Sequence, residues 1–257
     1  MPLLATGSVR LVYDERPGDA GGSLVFVHGA MSNRATFRYQ LDHFEGRRRV
    51  AFDLRGHGES EVTDDGYEVT NLARDLAAVC DQLGLNHGVV VGHSLGGAAA
   101  LQYAADHPDR VSGLVLLDSP VLMPPDFAAG VAQLAQAARS PMYDEAINGF
   151  MGQFAGSEDR LEIRRQVLSD VARTPKEVVA ACLESTAEFD GESAAAAYQK
   201  PLMYVSSGPW FTDVGRFRAL CPQLVTAQSF GSGHYHQLEV PDQINAFIDR
   251  FLEVNSL

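Results

Sequence analysis

Apolar residues along the chain follow two spacings. Short, nearly unbroken apolar runs at 24–27, 50–54, 89–91 and 114–117 suit strands buried on both faces, the mark of a parallel sheet covered by helices. Residues 9–13 predict an earlier strand, and 202–205 and 224–227 the last two, each set between helical stretches. The second spacing is helical. Leu72, Leu76, Val79, Cys80 and Leu83 fall on one stripe, as do Val240, Ile244, Phe247, Ile248, Phe251 and Leu252, with Pro241 suited to a first helical turn.

Between the runs at 114–117 and 202–205 the spacing is helical and no strand pattern appears. Ile163, Val167, Leu168 and Val171 mark one helix, and the alanines at 194–197 suit another. Thr174-Pro175-Lys176-Glu177 reads as a capping box with proline at the first helical position, opening a helix with Val178, Ala181, Cys182 and Leu183 on its apolar face. The pattern therefore predicts an α/β core from residues 1–119 and 200–257, built on a mostly parallel sheet, with a helical cap inserted at 120–199.

Composition narrows the function. A chain of 257 residues, 46% hydrophobic, can bury one large core. Its net charge of -13 repels phosphate backbones and anionic membranes, so neither nucleic acid nor a membrane is an expected partner. With no signal-peptide pattern and no apolar run of membrane-spanning length, the chain reads as cytoplasmic. Cys80, Cys182 and Cys221 are odd in number and widely spaced, which fits three buried apolar side chains better than a disulfide set or a zinc site.

The chemistry centres on Gly92-His93-Ser94-Leu95-Gly96, directly after the strand near 89–91 and directly before a helix that ends near Asp106-His107-Pro108. Gly-x-Ser-x-Gly in that setting is a sharp strand-to-helix turn that exposes the serine hydroxyl, with glycines relieving the crowding. A serine hydroxyl needs a base to take its proton, and histidine does so near neutral pH and returns the proton to the leaving group.

His28-Gly29, the run Asp53-Leu54-Arg55-Gly56-His57-Gly58-Glu59-Ser60, Gly92-His93-Ser94-Leu95-Gly96-Gly97 and Gly233-His234 together resemble the motif series of the α/β-hydrolase superfamily. Their order and spacing are similar to its capped esterase, lactonase, haloalkane dehalogenase and epoxide hydrolase branch, which implies an α/β-hydrolase fold with a mostly parallel sheet of about eight strands and the cap inserted after the sixth. The resemblance implies Ser94 as nucleophile and His234 as base, with Glu239 and Pro241 fixing the register. It implies the backbone N–H groups of Ala30 and Leu95 as oxyanion donors and His28 as a support for its loop. His57 and His93 are read as turn residues, and His43, His87 and His107 as surface residues. His236 is placed at the entrance or in a local hydrogen bond; His234-x-His236 could begin a metal site, but no third ligand is evident.

Two aspartates compete to orient the base. The commonest arrangement takes the acid shortly after strand seven, yet Asp213 comes late in 206–213, where capping a helix explains it. Asp118 ends strand six, the position from which dehalogenases and some lactonases of this fold supply the acid, and it is favoured. The resemblance thus implies hydrolysis of a small-molecule ester or lactone through an acyl intermediate, without cofactor or metal. Serine at this position disfavours the dehalogenase and epoxide hydrolase reactions, which use aspartate. Cofactor-free haloperoxidase or lyase chemistry, or a ligand receptor with incidental hydrolysis, are the alternatives. Met123, Phe127, Met142, Phe150, Met151, Phe154 and Phe189, with Trp210-Phe211, suit either an apolar substrate pocket or the packing of cap on core.

Overall fold

The structure, a computed structural model, describes residues 2–6, 9–154, 160–208 and 211–257. Eight strands form one sheet: β1 (Leu3–Ala5), β2 (Arg10–Arg16), β3 (Leu24–Val27), β4 (Arg49–Phe52), β5 (Gly88–His93), β6 (Val111–Leu117), β7 (Leu202–Ser206) and β8 (Leu224–Gln228). They lie in the order β1-β2-β4-β3-β5-β6-β7-β8. β2 runs antiparallel to both neighbours, and the pairs from β4 to β8 are parallel.

Alternation along the strands sorts the core into two layers. Val25, Val27, Val50, Phe52 and Val90 face one side, where Leu72 and Leu76 of α2 (Val69–Leu83, after α1 at Arg38–His43) and Leu101 of α3 (Leu95–Asp106) cover them. Leu24, Phe26, Ala51, Val89 and Val91 face the other, beneath Leu41 of α1 and the C-terminal helix. All four residues of β3 are buried, as its unbroken apolar run predicts.

Among the described residues, five helices separate β6 from β7: α4 (Pro125–Ala138), α5 (Tyr143–Phe154), α6 (Leu161–Arg173), α7 (Lys176–Glu188) and α8 (Gly191–Ala197). Val131, Ile147, Met151, Val167 and Val179 join a third apolar cluster, to which the core contributes Met31, Tyr235 and Leu238. α8 instead packs on α3, with Ala194 and Ala195 in the sheet's own core. The remaining helices are α9 (Val214–Leu220), α10 (His236–Glu239) and α11 (Pro241–Val254), the last with Pro241 in its first turn.

The expected capping box does not form. Pro175, not Thr174, is the N-cap of α7, and its carbonyl accepts the first helical hydrogen bond, from Val179 N–H at 3.0 Å. Thr174 instead closes α6, its hydroxyl donating to the Asp170 carbonyl at 3.0 Å. One threonine between two helices was available to either, and the preceding helix takes it. All three cysteines are buried and unpaired.

Candidate active site

Ser94 sits between β5 and α3 with φ 52° and ψ -126°, a backbone conformation that L-residues rarely adopt. The turn is crowded on both sides. A Cβ at Gly96 would lie 2.3 Å from the His28 carbonyl oxygen, and one at Gly97 would lie 1.8 Å from Ser119 Oγ. Only glycine allows α3 to start this close to β3, and the result is a half-exposed Ser94 between buried His93 and Leu95.

Asp118 follows the last residue of β6 and is fully buried, also at positive φ, 44°. Its Oδ2 accepts from His234 Nδ1–H at 3.2 Å and from the Ser207 hydroxyl, while Oδ1 accepts from Ser207 N–H at 2.8 Å. Burial alone would push this carboxyl up; the hydrogen bond from His234, the nearby imidazoles of His236 and His234, and the Ser207 hydrogen bond outweigh it and hold the carboxyl below the usual range. Asp213 is elsewhere. Its exposed carboxylate caps α9 by accepting from Arg216 N–H at 3.0 Å, as the sequence suggests.

With Nδ1 turned to Asp118, His234 has Nε2 as its remaining ring nitrogen. Ser94, Asp118 and His234 line one cavity together with Ala30 and Leu95, so all five residues singled out in the sequence meet there. Ser94 and His234 share the cavity without a hydrogen bond of standard length between them, a contact that commonly tightens only when substrate binds.

Buried histidines support this arrangement. His93 is buried and its Nε2–H donates to the His234 backbone carbonyl at 2.9 Å, with ring centroids 4.5 Å apart. His28 accepts from Leu54 N–H at 2.9 Å and donates to its neighbour Gly29 at 2.7 Å, tying the Ala30 loop to the end of β4. Burial pushes His28 down to about 3, His57 and His236 to about 4, and His93 well below the ordinary imidazole value. His236 is fully buried rather than at an entrance, and Nδ1 pairs with Ser229 Oγ at 3.0 Å.

Two contributors carried no signal in the sequence. Ser207 supplies both hydrogen bonds that anchor Asp118 from β7, and Met31, beside Ala30, takes φ 55°. Of the aromatic and methionine residues noted along the chain, Phe127, Phe150, Met151, Phe154 and Phe211 line the cavity. Met142 is exposed, Phe189 packs against the main core, Met123 packs in the helical cluster, and Trp210 lies outside the described residues.

Comparison with known proteins identifies the family. The family model for the alpha/beta hydrolase fold matches residues 22–241, and the chain belongs to that family. A 2-(acetamidomethylene)succinate hydrolase of Mesorhizobium japonicum is 36% identical over 110 residues, 42% of this chain and 40% of that protein. The chain spans 40% or less of the length of the first curated relatives it matches. Among solved structures, the enol-lactonase of Burkholderia xenovorans LB400 superposes with a TM-score of 0.86 at 19% identity, covering 98% of this chain and 100% of the other. A thermophilic esterase of Thermogutta terrifontis superposes with a TM-score of 0.83 at 23% identity, covering 96% and 94%. At those identities the likeness is one of fold. No helix among the described residues is long and apolar enough to cross a membrane.

Proposed function

We propose that the protein hydrolyses a carboxylic ester or lactone of a small, apolar molecule, with Ser94 as nucleophile, His234 as general base and acid, and Asp118 orienting the base. The observation that carries this reading is the His234–Asp118 hydrogen bond in the cavity that also holds Ser94 on its strained turn. Ser94 Oγ bonds to the substrate carbonyl carbon as its proton passes to His234 Nε2. Charge on the carbonyl oxygen falls to the N–H groups of Ala30 and Leu95, each worth roughly 3 kcal/mol by analogy with other oxyanion donors. The Leu95 N–H begins α3, so the helix dipole adds to it. The C–O bond to the alcohol then breaks, His234 returns the proton to the leaving oxygen, and a water activated by the same imidazole releases the acid.

In this reading α4 to α7, within the insertion at 120–199, form a cap whose apolar side chains exclude water from the carbonyl. The chemistry needs no cofactor. A panel of esters, lactones and thioesters assayed with wild type and Ser94→Ala tests the proposal, alongside labelling by a fluorophosphonate. Wild type should turn over at least one class and take the label, and Ser94→Ala should lose at least a thousandfold in kcat and all labelling. Equal turnover by both proteins, or an unlabelled wild type, would sink it.

A further inference from the structure

The cavity around Ser94 is small, about 60 Å³, whereas pockets that enclose small-molecule ligands run to roughly 300–1,000 Å³. It accommodates a reacting carbonyl and a few attached atoms. A groove of about 520 Å³ opens between α4 and α5, on the other face of the same side chains: Phe127, Val131, Phe150 and Phe154 line both spaces. A groove of similar size, about 560 Å³, beside Tyr67 and α7 shares no residue with the Ser94 cavity.

Gly130 of α4 and Gly149 of α5 both line the α4–α5 groove. Each sits inside a helix, where glycine costs about 1 kcal/mol relative to alanine. Packing does not require either, because a Cβ at each would meet nothing within 4 Å. What the two share is the groove, which larger side chains would fill.

The side chains that divide the two spaces also say which end of a substrate faces the groove. His234 must hand its proton to the leaving oxygen, so the alcohol half of an ester lies on the His234 side. Phe154 and Phe211 stand on that ring, at 5.6 and 5.3 Å between centroids, and lead outward to Phe150 (4.6 Å from Phe154) and Phe127 (5.1 Å from Phe211). We propose that the α4–α5 groove binds the alcohol portion of the substrate, a neutral apolar alkoxy chain, while a short acyl group stays beside Ser94. Asp126 and Glu145 on the groove wall disfavour an anionic chain. This proposal rests on the ester-hydrolase reading above, and the bond broken there releases the chain as a neutral alcohol.

Two ester series test it: acetates of alcohols from ethanol to octanol, and ethyl esters of acids from acetate to octanoate. For wild type, kcat/KM should rise along the alkoxy series by about fourfold per methylene, the equivalent of ~0.8 kcal/mol, until the groove is full. It should not rise along the acyl series. In Gly130→Leu/Gly149→Leu the ratio of kcat/KM for octyl over ethyl acetate should fall at least tenfold, and either single leucine variant serves if the double variant does not fold. An unchanged ratio, or a wild-type preference for long acyl chains, overturns the proposal. If wild type cleaves no ester and takes no fluorophosphonate label, the ester-hydrolase reading fails separately. Equilibrium dialysis of octyl acetate then decides the groove: weaker binding to the leucine variant upholds it, and equal binding overturns it.

Discussion

The two walls of the Ser94 cavity are built on different principles. On the sheet side, Asp118 and His234 are fixed by directional hydrogen bonds from Ser207, from His93 and within the pair itself, and the turn at Ser94 by its N–H, which donates to the Leu117 carbonyl. Three of the five non-glycine residues at positive φ among the described residues, Met31, Ser94 and Asp118, line this cavity, so the surrounding fold overdetermines their strained backbone. On the helical side, Phe127, Val131, Phe150, Met151 and Phe154 are held by apolar contact alone. Apolar packing tolerates exchange of shape at nearly constant volume, whereas hydrogen-bonded geometry does not. In the proposed reading, the first wall therefore suits the chemistry and the second suits selecting substrates.

The hardest blow to that distinction targets its polar side. Asp118→Asn should leave the fold intact and lower kcat by about 10⁴, the scale seen when the orienting acid of such a triad is neutralised. Asp213→Asn should stay within two- to threefold of wild type, since that carboxylate only caps α9. Steady-state kinetics on both variants checks the pair, and the opposite ranking would move the acid to Asp213.

How much of this was legible depended on how local each feature is. The buried strands, the Ser94 turn and the Asp213 cap are written in runs of a few residues, and the structure matches them. β1 spans three residues, too short for any period to show. Ser207 could not be found because it reaches Asp118 across 89 residues, through the parallel pairing of Leu117 with Val205. Thr174 misled because its pattern fits a helix start and its hydroxyl serves a helix end. For His236 the sequence left open an entrance position or a local hydrogen bond, and the turn into α10 takes the second, burying it against Ser229. The α4–α5 groove is a property of how two helices pack, which neither helix encodes alone.

Acid should expose the same division between the walls. All eight histidines lie outside residues 120–199, and His28, His57, His93 and His236 are buried with lowered values. In the unfolded chain each takes up a proton near 6.5, and in the fold only at lower pH, about 4 for His57 and His236 and about 3 for His28. The unfolded state thus binds more protons between these limits, so stability is full above about pH 6.5 and falls as pH drops toward 4. Each such histidine should cost about 2 kcal/mol by pH 5; the buried Asp53 and Asp75, shifted up by burial, act in the opposite sense. Urea unfolding at pH 7.5 and 5.0 should show the loss, and His57→Gln should shrink it by about one histidine's share. A loss identical in that variant would assign the acid sensitivity elsewhere.

The gentlest probe compares one residue from each wall. Ser207→Ala removes a hydroxyl donor from Asp118 but leaves the Ser207 N–H in place, so the acid stays anchored at Oδ1. A hydrogen bond to a charged group is worth about 1.5 kcal/mol or slightly more, which corresponds to roughly tenfold in kcat. Phe127→Leu on the opposite wall changes shape and leaves every triad hydrogen bond intact, so it should raise KM by a fewfold and shift kcat less. If Ser207→Ala moved only KM, or Phe127→Leu lowered kcat as far as Ser207→Ala does, the two walls would not divide chemistry from selection.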